Sequence, residues 1–177
     1  MNTGQMLLTI GAIFLLSTVI LTVNRGFLTT NTTMISNRYG IMASSLATSM
    51  IERATSKAFD ENSDTTEVTN TSQLTLPQNL GLDAGESRND PNLLDDFDDY
   101  NCYRNIPYRD AIQIDPADTS KKLYFNTFCR VDYVSDTNPN NPSTTRTWHK
   151  RLQVIVTSPS MEDTIRMSTI YSYWNFK

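Results

Sequence analysis

Apolar and polar positions along this chain follow two different periods. From residue 6 to residue 23 the run MLLTIGAIFLLSTVILTV carries no charge in its 18 residues. As a helix it measures about 27 Å, enough to reach across the hydrocarbon layer of a bilayer. Its hydroxyls, on Thr9, Ser17, Thr18 and Thr22, suit such a place because they can bond back to carbonyls one turn earlier. Nothing basic precedes the run and no small-residue cleavage site follows it, so it reads poorly as an ordinary signal peptide.

Beyond it, Ile35, Tyr39, Met42, Leu46 and Met50 step by four, three, four and four, which makes one helical stripe. Ala43, Ala47 and Ala54 widen the stripe, while Ser36, Arg38, Ser45, Ser49 and Arg53 occupy other faces. The spacing predicts a helix to about Ala58, closed by the polar segment DENSDTTEVTNTSQ. Its weakest stretch is RGFLTTNTT, residues 25–33, where glycine and β-branched threonine lower helix propensity.

Three later runs alternate with period two. Leu123, Phe125, Thr127, Cys129, Val131 and Tyr133 share one face of residues 123–134. Trp148, Lys150, Leu152, Val154 and Val156 share one face of residues 148–157, and Ile165, Met167, Thr169, Tyr171 and Tyr173 one face of residues 164–174. The pattern predicts a three-stranded antiparallel meander with one face on a core and the other wet. SDTNPNNPSTTRT and SPSMED read as its connecting loops. The expected class is therefore α+β: a long N-terminal helix, residues 1–58, packed through the 35–50 stripe against a β-rich head, residues 59–177.

Charge sharpens this division. Residues 1–58 hold four basic residues and Glu52, a net of +3, whereas residues 59–177 hold 11 basic and 18 acidic residues, a net of −7. The overall −4 is the average of two unlike parts. No basic footprint exists for nucleic acid. Polarity rests on 24 Thr, 16 Ser and 16 Asn, which suits a crowded exposed surface.

Catalytic chemistry finds few candidates. One His and two Cys cannot make a Cys/His zinc site. His149 falls on the polar face of its strand with Arg151 and Gln153, and no nucleophile elbow or catalytic-cysteine signature surrounds it. GLDAG lacks the Gly-Lys-Ser/Thr of a phosphate loop. No enzyme is expected. Asp95, Asp96, Asp98 and Asp99 place four carboxylates in five residues. If they converge they need a hard cation such as calcium or an arginine; otherwise they form a solvated acidic loop or helix start. Cys102 and Cys129 are expected to pair if the chain is exported, a constraint worth about 3.5 kcal/mol in the chain-entropy model. The alternative is two buried free thiols in a reducing compartment. Asn31-Thr32-Thr33 and Asn70-Thr71-Ser72 match the N-glycosylation acceptor pattern, as chance matches do in so Asn- and Thr-rich a chain.

The segment Gly4-Gln5-Met6-Leu7-Leu8-Thr9 looks like a prepilin junction, a small residue before an apolar run. With the amphipathic continuation, the antiparallel sheet and the acidic Asp95–Tyr100 segment, the chain resembles the type IV pilin and pseudopilin superfamily. Thr9 stands where members of that family place a glutamate after cleavage at the glycine. The resemblance implies Gly4 as a processing site and a helix held in the inner membrane before assembly. It further implies a homopolymer, an extracellular filament on the cell surface whose core is the packed N-terminal helices. The expected assembly surface is Met6, Leu7, Leu8, Ile10, Ile13, Phe14, Leu15, Leu16, Val19, Ile20 and Leu21. The alternative is a membrane-anchored minor pilin or binding protein whose head recognises a surface or an assembly partner.

Overall fold

The computed structural model describes residues 2–64, 66–87, 93–104, 111–115 and 118–173, with residues 111–115 and 118–121 described as backbone alone. Helix α1 (Thr3–Thr55) is continuous for 53 residues. The stretch at 25–33, expected to be its weakest, stays helical. There Thr29, Thr30, Thr32 and Thr33 donate their hydroxyls to carbonyls three or four residues back, at 2.9–3.0 Å. Those bonds remove the competition a free hydroxyl offers the backbone. The helix stops three residues short of Ala58, where Ser56 and Lys57 turn back on Glu52 and Ala54 through their backbone N–H groups.

The chain divides into two compact units, Met1–Tyr39 and Gly40–Lys177, with the division inside α1. In the second unit the helix buries Ala43, Ala47, Met50 and Ala54. The expected stripe is thus corrected by about one residue's turn. Met50 is buried and Met42 and Leu46 are half-buried, but Ile35 is exposed and Tyr39 only partly covered. Alanine is the reason: with no side chain beyond Cβ, it lets the helix axis come close to its neighbour, and the longer residues then fall on the flanks. Thr48 reaches Met167 of the last strand, Oγ1 to Sδ at 3.9 Å.

Six strands follow: β1 (Ala111–Asp115), β2 (Asp118–Tyr124), β3 (Asn126–Ser135), β4 (Asn138–Pro142), β5 (His149–Thr157) and β6 (Ile165–Ser172). β1 and β2 pair as a separate antiparallel hairpin; the other four form an antiparallel sheet in the order β4-β3-β5-β6. The predicted meander is its β3-β5-β6 part. Two details differ from expectation. The run at 123–134 is split at Phe125 between β2 and β3, although its inward face stays buried throughout. The loop at 135–147 contains edge strand β4, folded back on β3 with Ser135 opposite Asn138. Trp174 lies outside the described residues.

The inward faces close a core of Leu123, Phe125, Cys129, Val131, Leu152, Val154 and Val156. Residues 101–104 run beside β3: the Cys129 N–H donates to Tyr103 O at 2.9 Å and the Val131 N–H to Asn101 Oδ1 at 3.1 Å. This arrangement overturns the expected disulfide, for both cysteines are free. Cys129 points into the core with its strand's inward face, whereas Cys102 takes a left-handed φ of 58° and is exposed. Their backbones are neighbours, but the turn sends one thiol to solvent. Burial pushes the Cys129 thiol up to about 12.

Two measurements check this packing. Ala47→Leu should destabilise the fold by about 1–3 kcal/mol through overpacking, read by chemical denaturation of the full chain in detergent. Mass-resolved alkylation without reductant should label Cys102 quickly in the native chain and Cys129 only after unfolding.

Candidate functional site

Two features of the described residues carry chemistry or binding capacity. The first is the surface of α1. Every large apolar side chain named above from Met6 to Leu21 is exposed, and together with Val23 they range from 52 to 75 % exposure. At about 100° per residue they cover all sides of the helix, so no single flat surface can cover them. The hydroxyls of Thr9, Ser17, Thr18 and Thr22 each donate to a backbone carbonyl at 2.8 Å. No polar group along this surface is left wanting a partner, as an apolar environment requires. The helix is long and apolar enough to cross a membrane. Gly4 lies in its first turn, where an added Cβ would meet nothing within 4 Å.

The second feature is a buried charged centre. Lys150 occupies an inward position of β5, between Tyr133 of β3 and Tyr171 of β6, and is 0 % exposed. An ammonium has three donors, and all three are used. Nζ donates to Phe59 O at 2.7 Å, to Asp60 Oδ2 at 2.8 Å and to Asp98 Oδ1. The rings of Phe59 and Tyr133 lie 4.7 and 5.4 Å from it.

Backbone pairing brings the acids there. The Ala58 N–H donates to Asp95 O and the Phe97 N–H to Ala58 O, so the segment leaving α1 runs alongside the turn at 95–98. Asp60 also accepts from the Thr75 N–H and hydroxyl, the Asn62 N–H and the Tyr133 hydroxyl. Burial would push Asp60 up, but the Lys150 ammonium and these hydrogen bonds outweigh it and hold the carboxyl below its ordinary value. Burial prevails at Asp98, which is pushed well up despite Lys150. Burial also raises Tyr133.

Of the four aspartates singled out in the sequence, the fold separates the roles. Asp98 belongs to the lysine centre, and Asp95 is exposed, its backbone N–H donating to Asp99 Oδ2. Asp96 and Asp99 are buried and meet acids from elsewhere: Asp96 with Glu61 and Asp83, Asp99 with Asp83 and Glu86. Burial raises Asp96 to about 6 against the pull of Lys150. Asp99 rises to about 9 through burial and its contact with the Glu86 carboxyl. Sequence reasoning missed Asp60 and Glu61, which stand 35 and 34 residues before the DDFDD run, and Asp83 and Glu86, which precede it by twelve and nine. The available signal was Lys150 itself, a charge on a face otherwise apolar.

His149 is only partly exposed. Its Nδ1 lies 2.6 Å from Ser172 Oγ and its Nε2 2.7 Å from Asp136 Oδ1. The imidazole thus pairs with the Asp136 carboxylate on one side and the Ser172 hydroxyl on the other, which ties the β3–β4 turn to β5 and β6. No family model, no curated protein and no solved structure matches this chain.

The lysine centre makes a quantitative prediction. Lys150→Met should cost about 3–5 kcal/mol, since it strands two buried carboxylates. Adding Asp60→Asn and Asp98→Asn should recover part of that loss in the same denaturation experiment.

Proposed function

We propose that this chain is a structural subunit of an extracellular pilin-like helical filament, polymerising through its hydrophobic N-terminal helix after residence in a membrane. The observation that carries the reading is where exposed apolar side chains stop. They do not end with the uncharged 6–23 segment. Phe27, Leu28, Met34, Ile35 and Ile41 are also exposed, beyond Arg25 and on either side of Arg38.

At 100° per residue these five fall within an arc of about 140°. They form a one-sided stripe, unlike the all-round apolar surface before them. A monomer anchored by residues 6–23 would hold that stripe in water. Copies of the helix packed side by side would cover both regions at once. Each buried Leu, Ile or Phe then contributes about 1.5–3 kcal/mol relative to water. Within the bilayer the same helices lack a hydrophobic drive to associate and rely on packing alone, which allows storage in the membrane before assembly. The Thr-rich stretch suits this use because its hydroxyls are already bonded within the helix.

Negative-stain microscopy of cells and purified material tests the reading. Long uniform fibres rich in this chain are expected. Phe14→Asp should abolish them by placing a charge in the core segment. Phe27→Asp should also abolish them while the chain still sediments with membranes. The near-ultraviolet circular dichroism of the head should be unchanged in both. Undiminished fibres from both variants, or no fibres from the wild type, would overturn the assignment.

A further inference from the structure

Beside the lysine centre, carboxylates from two loops face one another. One oxygen from each of Asp83, Glu86 and Asp99 lies within 4.8 Å of the other two, and the same holds for Glu61, Asp83 and Asp96. Oxygen ligands of a calcium ion stand about 2.3–2.6 Å from it, so opposite ligands are about 5 Å apart. Either triad therefore fits inside one coordination sphere, and Asp83 belongs to both.

A second observation concerns how the buried acids are held. Asp96 and Asp99 are each 1 % exposed. Asp99 Oδ2 accepts the N–H groups of Asp95 and Asp96 at 3.0 and 2.9 Å, and Asp96 Oδ1 accepts those of Asp98 and Asp99 at 2.7 and 3.0 Å. Glu86 Oε2 accepts the Asp83 N–H at 2.7 Å. In each carboxylate one oxygen is thus anchored to backbone. The other, Asp99 Oδ1, Asp96 Oδ2 or Glu86 Oε1, is buried and meets no hydrogen-bond donor among the described residues. Buried carboxylate oxygens are costly to leave so.

The cations among the described residues do not answer this need. All three donors of Lys150 are taken by Phe59, Asp60 and Asp98, and no ion pair among the described residues includes Glu61, Asp83, Glu86, Asp96 or Asp99. The loops are fitted to stay in place. Gly85, with a φ of 106°, makes the turn that returns Glu86 to Asp83. Asn101 Nδ2 donates to Leu80 O at 2.8 Å and joins the two loops at their base. The donors are oxygen only, with no imidazole or thiolate, which suits a hard cation. Several carboxylates on irregular loops suit calcium, whereas magnesium demands strict octahedral geometry and keeps much of its water.

We propose that Asp83, Glu86, Asp96 and Asp99, with Glu61 at the solvent edge, bind calcium and so fasten the loop at residues 81–87 to the turn at 95–101. The site stands whether or not the chain forms filaments.

The test uses the full chain in detergent micelles, stripped with EDTA and followed by thermal unfolding and isothermal titration calorimetry. Calcium at 10 mM (about ten times the Kd of the weakest extracellular sites) should raise Tm by roughly 3–10 °C. Magnesium should give a much smaller shift. The double variant Asp83→Asn/Glu86→Gln changes two loop residues. It should lose the calcium shift and the binding heat, while its Tm in EDTA equals or exceeds that of the wild type because like charges have been removed. Asp99→Asn, which preserves shape, should behave the same way. The proposal fails if wild-type Tm ignores calcium, if magnesium matches calcium, or if the calcium shift survives in both variants.

Discussion

A buried ammonium cannot be placed loosely. Removing Lys150 from water costs several kcal/mol unless its donors are met, and they are met only where three separate stretches of chain converge. β5 supplies the lysine, the segment just past α1 supplies Phe59 O and Asp60, and the turn at 96–98 supplies Asp98. Asp60 follows the last helical residue by five positions, so the contact also fixes where the C-terminal end of α1 meets the sheet. A well-packed apolar replacement of all three charges would be about as stable. What the lysine adds is a requirement of position, which a greasy side chain would not impose.

Much of this architecture was legible because strand alternation is a strict signal. The inward faces of β3 and β5 were read correctly residue by residue, Lys150 included. Its place was visible; its partners were not, because Asp60 and Asp98 lie 90 and 52 residues away and no local pattern links them. The helix face was read less well. Ala43, Ala47 and Ala54 were placed on the stripe only as a widening of its large residues, whereas close approach puts them at its centre and leaves Ile35 exposed.

The cysteine and aspartate readings met a common obstacle. Each took nearness along the chain, or a rule about compartment, as a guide to where side chains point. Cys102 runs close to β3, but a single left-handed residue turns its thiol outward. Four neighbouring aspartates left open a shared cation site or a solvated acidic loop, and the 3₁₀ turn at Asp98–Tyr100 fans them apart instead. Asp98 goes to the lysine, Asp96 and Asp99 to acids of other loops, and Asp95 to the surface. A tight turn distributes consecutive side chains over different directions, so a dense sequence motif is a poor guide to a dense site.

The span of the lysine contacts also bears on the order of events during synthesis. Lys150 meets Phe59 and Asp60 across 91 and 90 residues of chain, so the head cannot close until most of it has left the ribosome. Contacts of such long sequence separation form slowly. The uncharged segment at 6–23 emerges before the head and spends that whole interval attached to an unfolded remainder, a state prone to aggregation. Whatever shields this segment from water therefore has to act on a nascent chain, before there is a folded head to recognise.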